Sequence, residues 1–155
     1  MKVIRASAEE LVLELGKWEK QLLFKVLGQY PLIPSSYHKL TRGSGLVDHL
    51  GAQNMLDEAL AEQRVENKKR LQSLLHSPST VAKTDGGRFR LNINIEEMEW
   101  LLQVLNDVRV GSWIALGSPD NKAVSLDERA SPHLWTMEIA GLFQASFLHA
   151  LEGDE

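Results

Sequence analysis

Arg88-Phe89-Arg90-Leu91-Asn92-Ile93-Asn94 runs directly into Ile95-Glu96-Glu97-Met98-Glu99-Trp100-Leu101-Leu102, and the apolar pattern continues as far as Leu116-Gly117. The first seven residues alternate polar and apolar side chains at the two-residue period of a strand, and Asp85-Gly86-Gly87 before them is a turn signal. Asn94 with Glu97 three positions later opens a helix, because an asparagine side chain satisfies an amide that the first turn leaves unpaired. Gly117 closes it, since glycine accepts the left-handed conformation that ends helices. A strand needs a partner, and the alternating Lys2-Val3-Ile4-Arg5 is the candidate. The expectation is a short two-stranded ribbon of residues 2–5 and 88–94.

Helices fill the rest of the expected fold. Ser7-Ala8-Glu9-Glu10 reads as a capping box, and Leu11, Leu15, Trp18, Leu22 and Val26 follow at helical spacing. This places a first helix over 8–29, stopped before Pro31 and Pro34. Residues 35–51 are rich in serine, threonine and glycine and read as an irregular connection or a very short helix. From Ala52 to His76 a narrow stripe of Leu56, Leu60, Leu71 and Leu74 is surrounded by charge, the pattern of a helix packed by one edge. Ser77-Pro78-Ser79 ends it, and residues 118–130 form a polar loop. Ser131-Pro132 opens a last helix over 132–151, with Gly153 beyond its end. Its apolar residues, Leu134 to Leu151, point in nearly every direction. Such a helix is either the centre of a bundle or one that buries its second face in a dimer. The expected fold is therefore mainly α: a single-domain helical bundle over 1–155 with four main helices and the ribbon.

Bulk properties narrow the function classes. With 43% hydrophobic and 25% charged residues the chain has globular composition, and 155 residues suffice for one core. The absence of cysteine removes disulfides, thiolate metal sites and cysteine nucleophiles. No apolar run approaches the roughly 20 residues that span a bilayer, and the first ten residues lack a signal-peptide core. The expected location is cytoplasmic. A net charge of -4 does not favour nucleic acid, and Lys68-Lys69-Arg70 is interleaved with Glu62 and Glu66 as in a solvated face.

The polar residues of the third helix are the most informative. Wound at roughly 100° per residue, Met98, Leu102, Leu105, Ser112 and Leu116 share a face with Arg109 at its middle. Asn106 borders that face and Asp107 lies opposite, toward water. An arginine within an apolar stripe needs a partner. Glu138, the one acid within the apolar body of the last helix, is the candidate. Three readings of Arg109 stay open: a structural ion pair with Glu138, an anion site extended by Asn106 and His149, or a side chain reaching the surface. His38, His49, His76, His133 and His149 show no i, i+3 or i, i+4 pair, so no metal is expected. Gly43-Ser44-Gly45-Leu46-Val47-Asp48 lacks the third glycine and the lysine of phosphate loops and reads as flexible loop. No nucleophile elbow surrounds Ser44 or Ser112, and no catalytic residue is assigned.

Glu99-Trp100-Leu101-Leu102-Gln103-Val104-Leu105-Asn106-Asp107-Val108-Arg109-Val110-Gly111, ending Ala115-Leu116-Gly117, resembles the signature of an uncharacterised bacterial family catalogued as domain of unknown function twenty-seventeen. Leu32-Ile33-Pro34-Ser35-Ser36-Tyr37 is similar to that family's leucine-proline-x-x-tyrosine segment, and the lysine-bearing second helix fits in order. After Gly111 the chain departs from the pattern, with Ser112-Trp113-Ile114 in place of small and basic residues. The resemblance implies a small helical cytosolic protein without an established activity. Genes of that family often stand near a Clp protease adaptor in actinobacteria, which implies a link to regulated proteolysis.

Two functions follow as expectations. The first is a non-enzymatic protein-interaction or self-associating module without cofactor, with a protein partner or a homo-oligomer and neither nucleic acid nor membrane. The alternative is a small-molecule or anion binder, or enzyme, with a core pocket around Arg109, Glu138, Asn106 and His149.

Overall fold

The computed structural model describes residues 1–7, 9–34, 47–118 and 131–153. Its elements in chain order are β1 (Lys2–Ala6), β2 (Glu10–Leu15), α1 (Lys17–Leu27), α2 (Val47–His76), β3 (Val81–Lys83), β4 (Phe89–Asn94), α3 (Ile95–Ala115) and α4 (Ser131–Glu152). The strands form one antiparallel sheet in the order β1-β2-β4-β3. The fold is thus α+β, and a purely helical bundle with a ribbon is overturned by this four-stranded sheet.

The correction turns on residues 10–15, which belong to a strand and not to a helix over 8–29. A separation of four residues is an even number along a strand and little more than one turn of a helix, so Leu11 and Leu15 share a face in either form. Leu13 separates the two: on a helix it would oppose Leu11, on a strand it joins it. Leu11, Leu13 and Leu15 are all buried, with Glu10, Val12 and Glu14 alternating toward the other side. The expected ribbon is corrected for the same reason. β2 inserts between β1 and β4, setting Leu11 opposite Ile93, Leu13 opposite Leu91 and Leu15 opposite Phe89. The Ser7–Glu10 signal forms the hairpin between β1 and β2. The Glu10 amide donates to Ser7 Oγ at 3.1 Å, and the Ser7 amide donates to the Glu10 carbonyl at 2.9 Å.

The true start of α1 lies at Gly16, whose amide donates to Glu19 Oε1 at 3.0 Å. α2 begins at Val47, five residues before the expected start at Ala52, while the other boundaries follow the local chemistry read from the sequence. α2 ends at His76, and Asp85-Gly86-Gly87 turns the β3–β4 hairpin with Gly87 at φ 75. Asn94 is both the last residue of β4 and the cap of α3, accepting the Glu97 amide at 2.7 Å. Gly117 and Gly153 stand at positive φ past α3 and α4. The expectations for 35–46, including Ser35-Ser36-Tyr37, His38 and the start of the Gly43 loop, and for 119–130 lie outside the described residues.

The inner sheet face of Leu11, Leu13, Leu15, Leu91 and Ile93 packs on α1, α3 and α4, which contribute Leu23, Val26, Leu27, Met98, Leu101, Leu105, Val108, Ala140 and Phe147. α2 joins this core through Leu71 and Leu75 near its C-terminal end and is exposed over most of its remaining surface, as a one-edge helix should be. No helix among the described residues is long and apolar enough to cross a membrane.

Candidate functional site

Asp107 and Gly111, one turn apart on α3, form a seat for the chain that leaves α1. Asp107 Oδ1 accepts the Leu32 amide at 2.7 Å and the Ile33 amide at 3.3 Å. At Gly111 the backbone of that segment comes so close that an added Cβ would lie 2.5 Å from the Leu32 carbonyl carbon. Glycine is the residue that permits this approach. From the other side Arg64 of α2 donates to the Ile33 carbonyl, and Asn67 Nδ2 donates to the Tyr30 hydroxyl at 3.0 Å. The Arg70 guanidinium lies over Trp100 at 4.4 Å from the ring centre. A cleft of about 180 Å³ remains between α2 and α3, bordered by Arg64, Asn67, Trp100 and Asp107. Arg64 and Asp107 both hold the backbone of Ile33, so these two charges tie α2, α3 and the 30–33 segment together. Asp107 does not point away to water as the helical wheel implies.

The predicted site residues do not converge on a pocket. Arg109 is exposed, not buried within an apolar stripe. Its Nη1 donates to Gln144 Oε1 at 3.2 Å, and its Nε passes 3.9 Å from the Cβ position of Gly141. Glu138 is exposed and forms no ion pair with Arg109. Asn106 and His149 are exposed as well. The reason is the rotation of α3. Its buried residues Met98, Trp100, Leu101, Val104, Leu105, Val108, Gly111 and Ser112 centre the inner face roughly 70° from the middle of the expected stripe, at about 100° per residue. That rotation moves Arg109 to the rim and brings Asp107 to the opposite edge of the inner face. Among the described residues, no group of three or more histidine or acidic side chains could hold a metal ion.

Exposed large apolar side chains are spread over several elements, with Ile4 on β1, Trp18 on α1, Met55 and Val65 on α2, Trp113 on α3 and two on α4. α4 buries Thr136, Ala140, Phe143, Phe147 and Ala150 on its inner side, while Leu142 is 64% exposed and Leu148 49%. Trp18, which the sequence pattern assigns to the buried stripe of a first helix, is 76% exposed on α1. Between α1, β1 and α4 runs a groove of about 300 Å³ lined by Val3, Leu22, Ile139, Leu142 and Phe143, with Glu19 and His149 at its polar margin. Burial works to raise the Glu19 carboxyl. Hydrogen bonds from the Met1 ammonium and the Gly16 amide, with the charges of that ammonium and Arg88, outweigh it and hold the group below the usual range. The one sequence signal pointing to this region is the apolar character of α4 on all sides.

Compared with family models, with curated proteins and with solved structures, the chain matches none.

Proposed function

We propose that this chain is a self-associating protein-interaction module whose docking face is the outer side of α4. The observation that carries the reading is the two-sided use of that helix. Its inner side is filled by the core, yet Leu142 and Leu148 stand 64% and 49% exposed on the outer side. Six residues apart, the two stand roughly 120° from each other around the helix axis, one on each flank of its outer side. The polar residues that would serve a pocket, Arg109, Asn106, Glu138 and His149, are all exposed, which speaks against the small-molecule alternative at that place. The link to regulated proteolysis is carried by the motif resemblance alone.

Sedimentation velocity over a hundredfold dilution tests the reading. A concentration-dependent dimer is expected, and Leu142→Glu shifts it to monomer while leaving the helical circular dichroism unchanged. A wild-type chain that stays monomeric at the highest concentration refutes the proposal.

A further inference from the structure

The outer face of α4 has an order along its length that selects a partner and a direction. Glu138, Leu142, Ala145, His149 and Glu152 are all exposed, and each follows the last by four, three, four and three residues. That is the spacing of a coiled-coil seam, where successive positions fall on one strip of the helix. Along the strip the chemistry reads acid, apolar, small apolar, imidazole, acid.

A second copy laid parallel would set Glu138 against Glu138 and Glu152 against Glu152, like charges in contact. Reversing the second copy about the point between Phe143 and Gln144 removes this conflict. Leu142 then meets Ala145, a large side chain against a small one, twice by symmetry. Glu138 meets His149, also twice, and a carboxylate accepts a hydrogen bond from an imidazole in either of its protonation states. One layer further, Glu152 reaches the level of Trp135, over whose ring the Lys25 ammonium of α1 is held at 4.9 Å from the centre. The acid at the end of the seam therefore arrives at a cation.

We infer that two copies of this chain pair through α4 in antiparallel register, with Glu138 of each copy facing His149 of the other and Glu152 facing Lys25. The arrangement is isologous, the symmetry of closed two-fold dimers. This inference rests on the self-association reading and adds to it the register.

Charge exchange in the full-length chain tests it. The variants are Glu138→Lys, His149→Glu and the double variant carrying both, all at exposed positions, with dimer dissociation read by sedimentation equilibrium at one fixed pH. Each single substitution is expected to weaken the dimer about tenfold, since each is repeated at two symmetric contacts. The double variant, in which the exchanged charges again face each other, is expected to return to within about threefold of the wild type. A dimer whose dissociation constant is unchanged in both single variants overturns the register while leaving self-association standing. A double variant no tighter than the single ones overturns it too. A wild-type monomer overturns both readings together.

Discussion

Replacing Gly111 by alanine should cost stability, although the same change in most helix interiors is favourable. The added Cβ would stand 2.5 Å from the Leu32 carbonyl carbon, 2.7 Å from the Ile33 amide nitrogen and 2.7 Å from Leu32 Cβ. Two of those atoms are backbone, so no rotamer change relieves the contact. In a close-packed interior the 31–33 segment must retreat by roughly 1 Å. The Asp107 bonds to the Leu32 and Ile33 amides start at 2.7 and 3.3 Å, and a retreat of that size carries both out of hydrogen-bonding range. Overpacking costs about 1–3 kcal/mol, and losing bonds to a charged acceptor costs about 1.5–3 kcal/mol. The helix preference of alanine returns about 1 kcal/mol. The net expectation is a loss of about 1.5–5 kcal/mol, read as a lowered urea midpoint at an unchanged m-value. Asp107→Ala should cost a similar amount, and the double variant less than the sum, because the bonds broken by one substitution are no longer there for the other. An unchanged or raised midpoint for Gly111→Ala would refute the account of α3 as a seat for the 31–33 segment.

Arg109→Ala tests the surface placement of that side chain. With one hydrogen bond to Gln144 and no paired carboxylate, it should change the unfolding free energy by no more than about 0.5 kcal/mol. A loss near 3–5 kcal/mol would instead reveal a buried ion pair. Glu19 is held below the usual carboxylate range in the folded protein, so the folded state binds fewer protons there than the unfolded chain at mildly acid pH. Its contribution is present at neutral pH and is lost as pH falls through its folded pKa. Glu19→Gln is therefore expected to flatten the acid side of a plot of melting temperature against pH, and an unchanged acid side would contradict the role given to the Met1 and Gly16 bonds.

Local chemistry was legible wherever a few neighbouring residues suffice. The strand over 89–94, the Asn94 cap, the turn at Asp85-Gly86-Gly87, the end of α2 at His76 and the glycines after α3 and α4 all answer to contacts within a few positions. Residues 10–15 answer to a contact about eighty positions away. Leu11 and Leu15 satisfy strand and helix periods equally, and only pairing with β4 decides for the strand. The face of α3 was ambiguous for a related reason. Apolar residues cover so much of its circumference that the inner side is set by the sheet, α1 and α4 against which it packs. Asp107 has its role because the chain after α1 crosses there, and Arg109 has none in the core because the packing of α3 on the sheet, α1 and α4 turns it outward.

The sequence by itself determined both ends of α3 and α4 and the end of α2, that no disulfide forms, and that α4 has more apolar surface than one core face can cover. Tertiary structure alone decided that residues 10–15 complete a sheet, that Asp107 and Gly111 form a saddle, and that Leu142 and Leu148 are the large apolar residues of α4 left outside. The physical reason is range. Caps and turns are settled by bonds between near neighbours, whereas burial is settled by which distant surface arrives to exclude water.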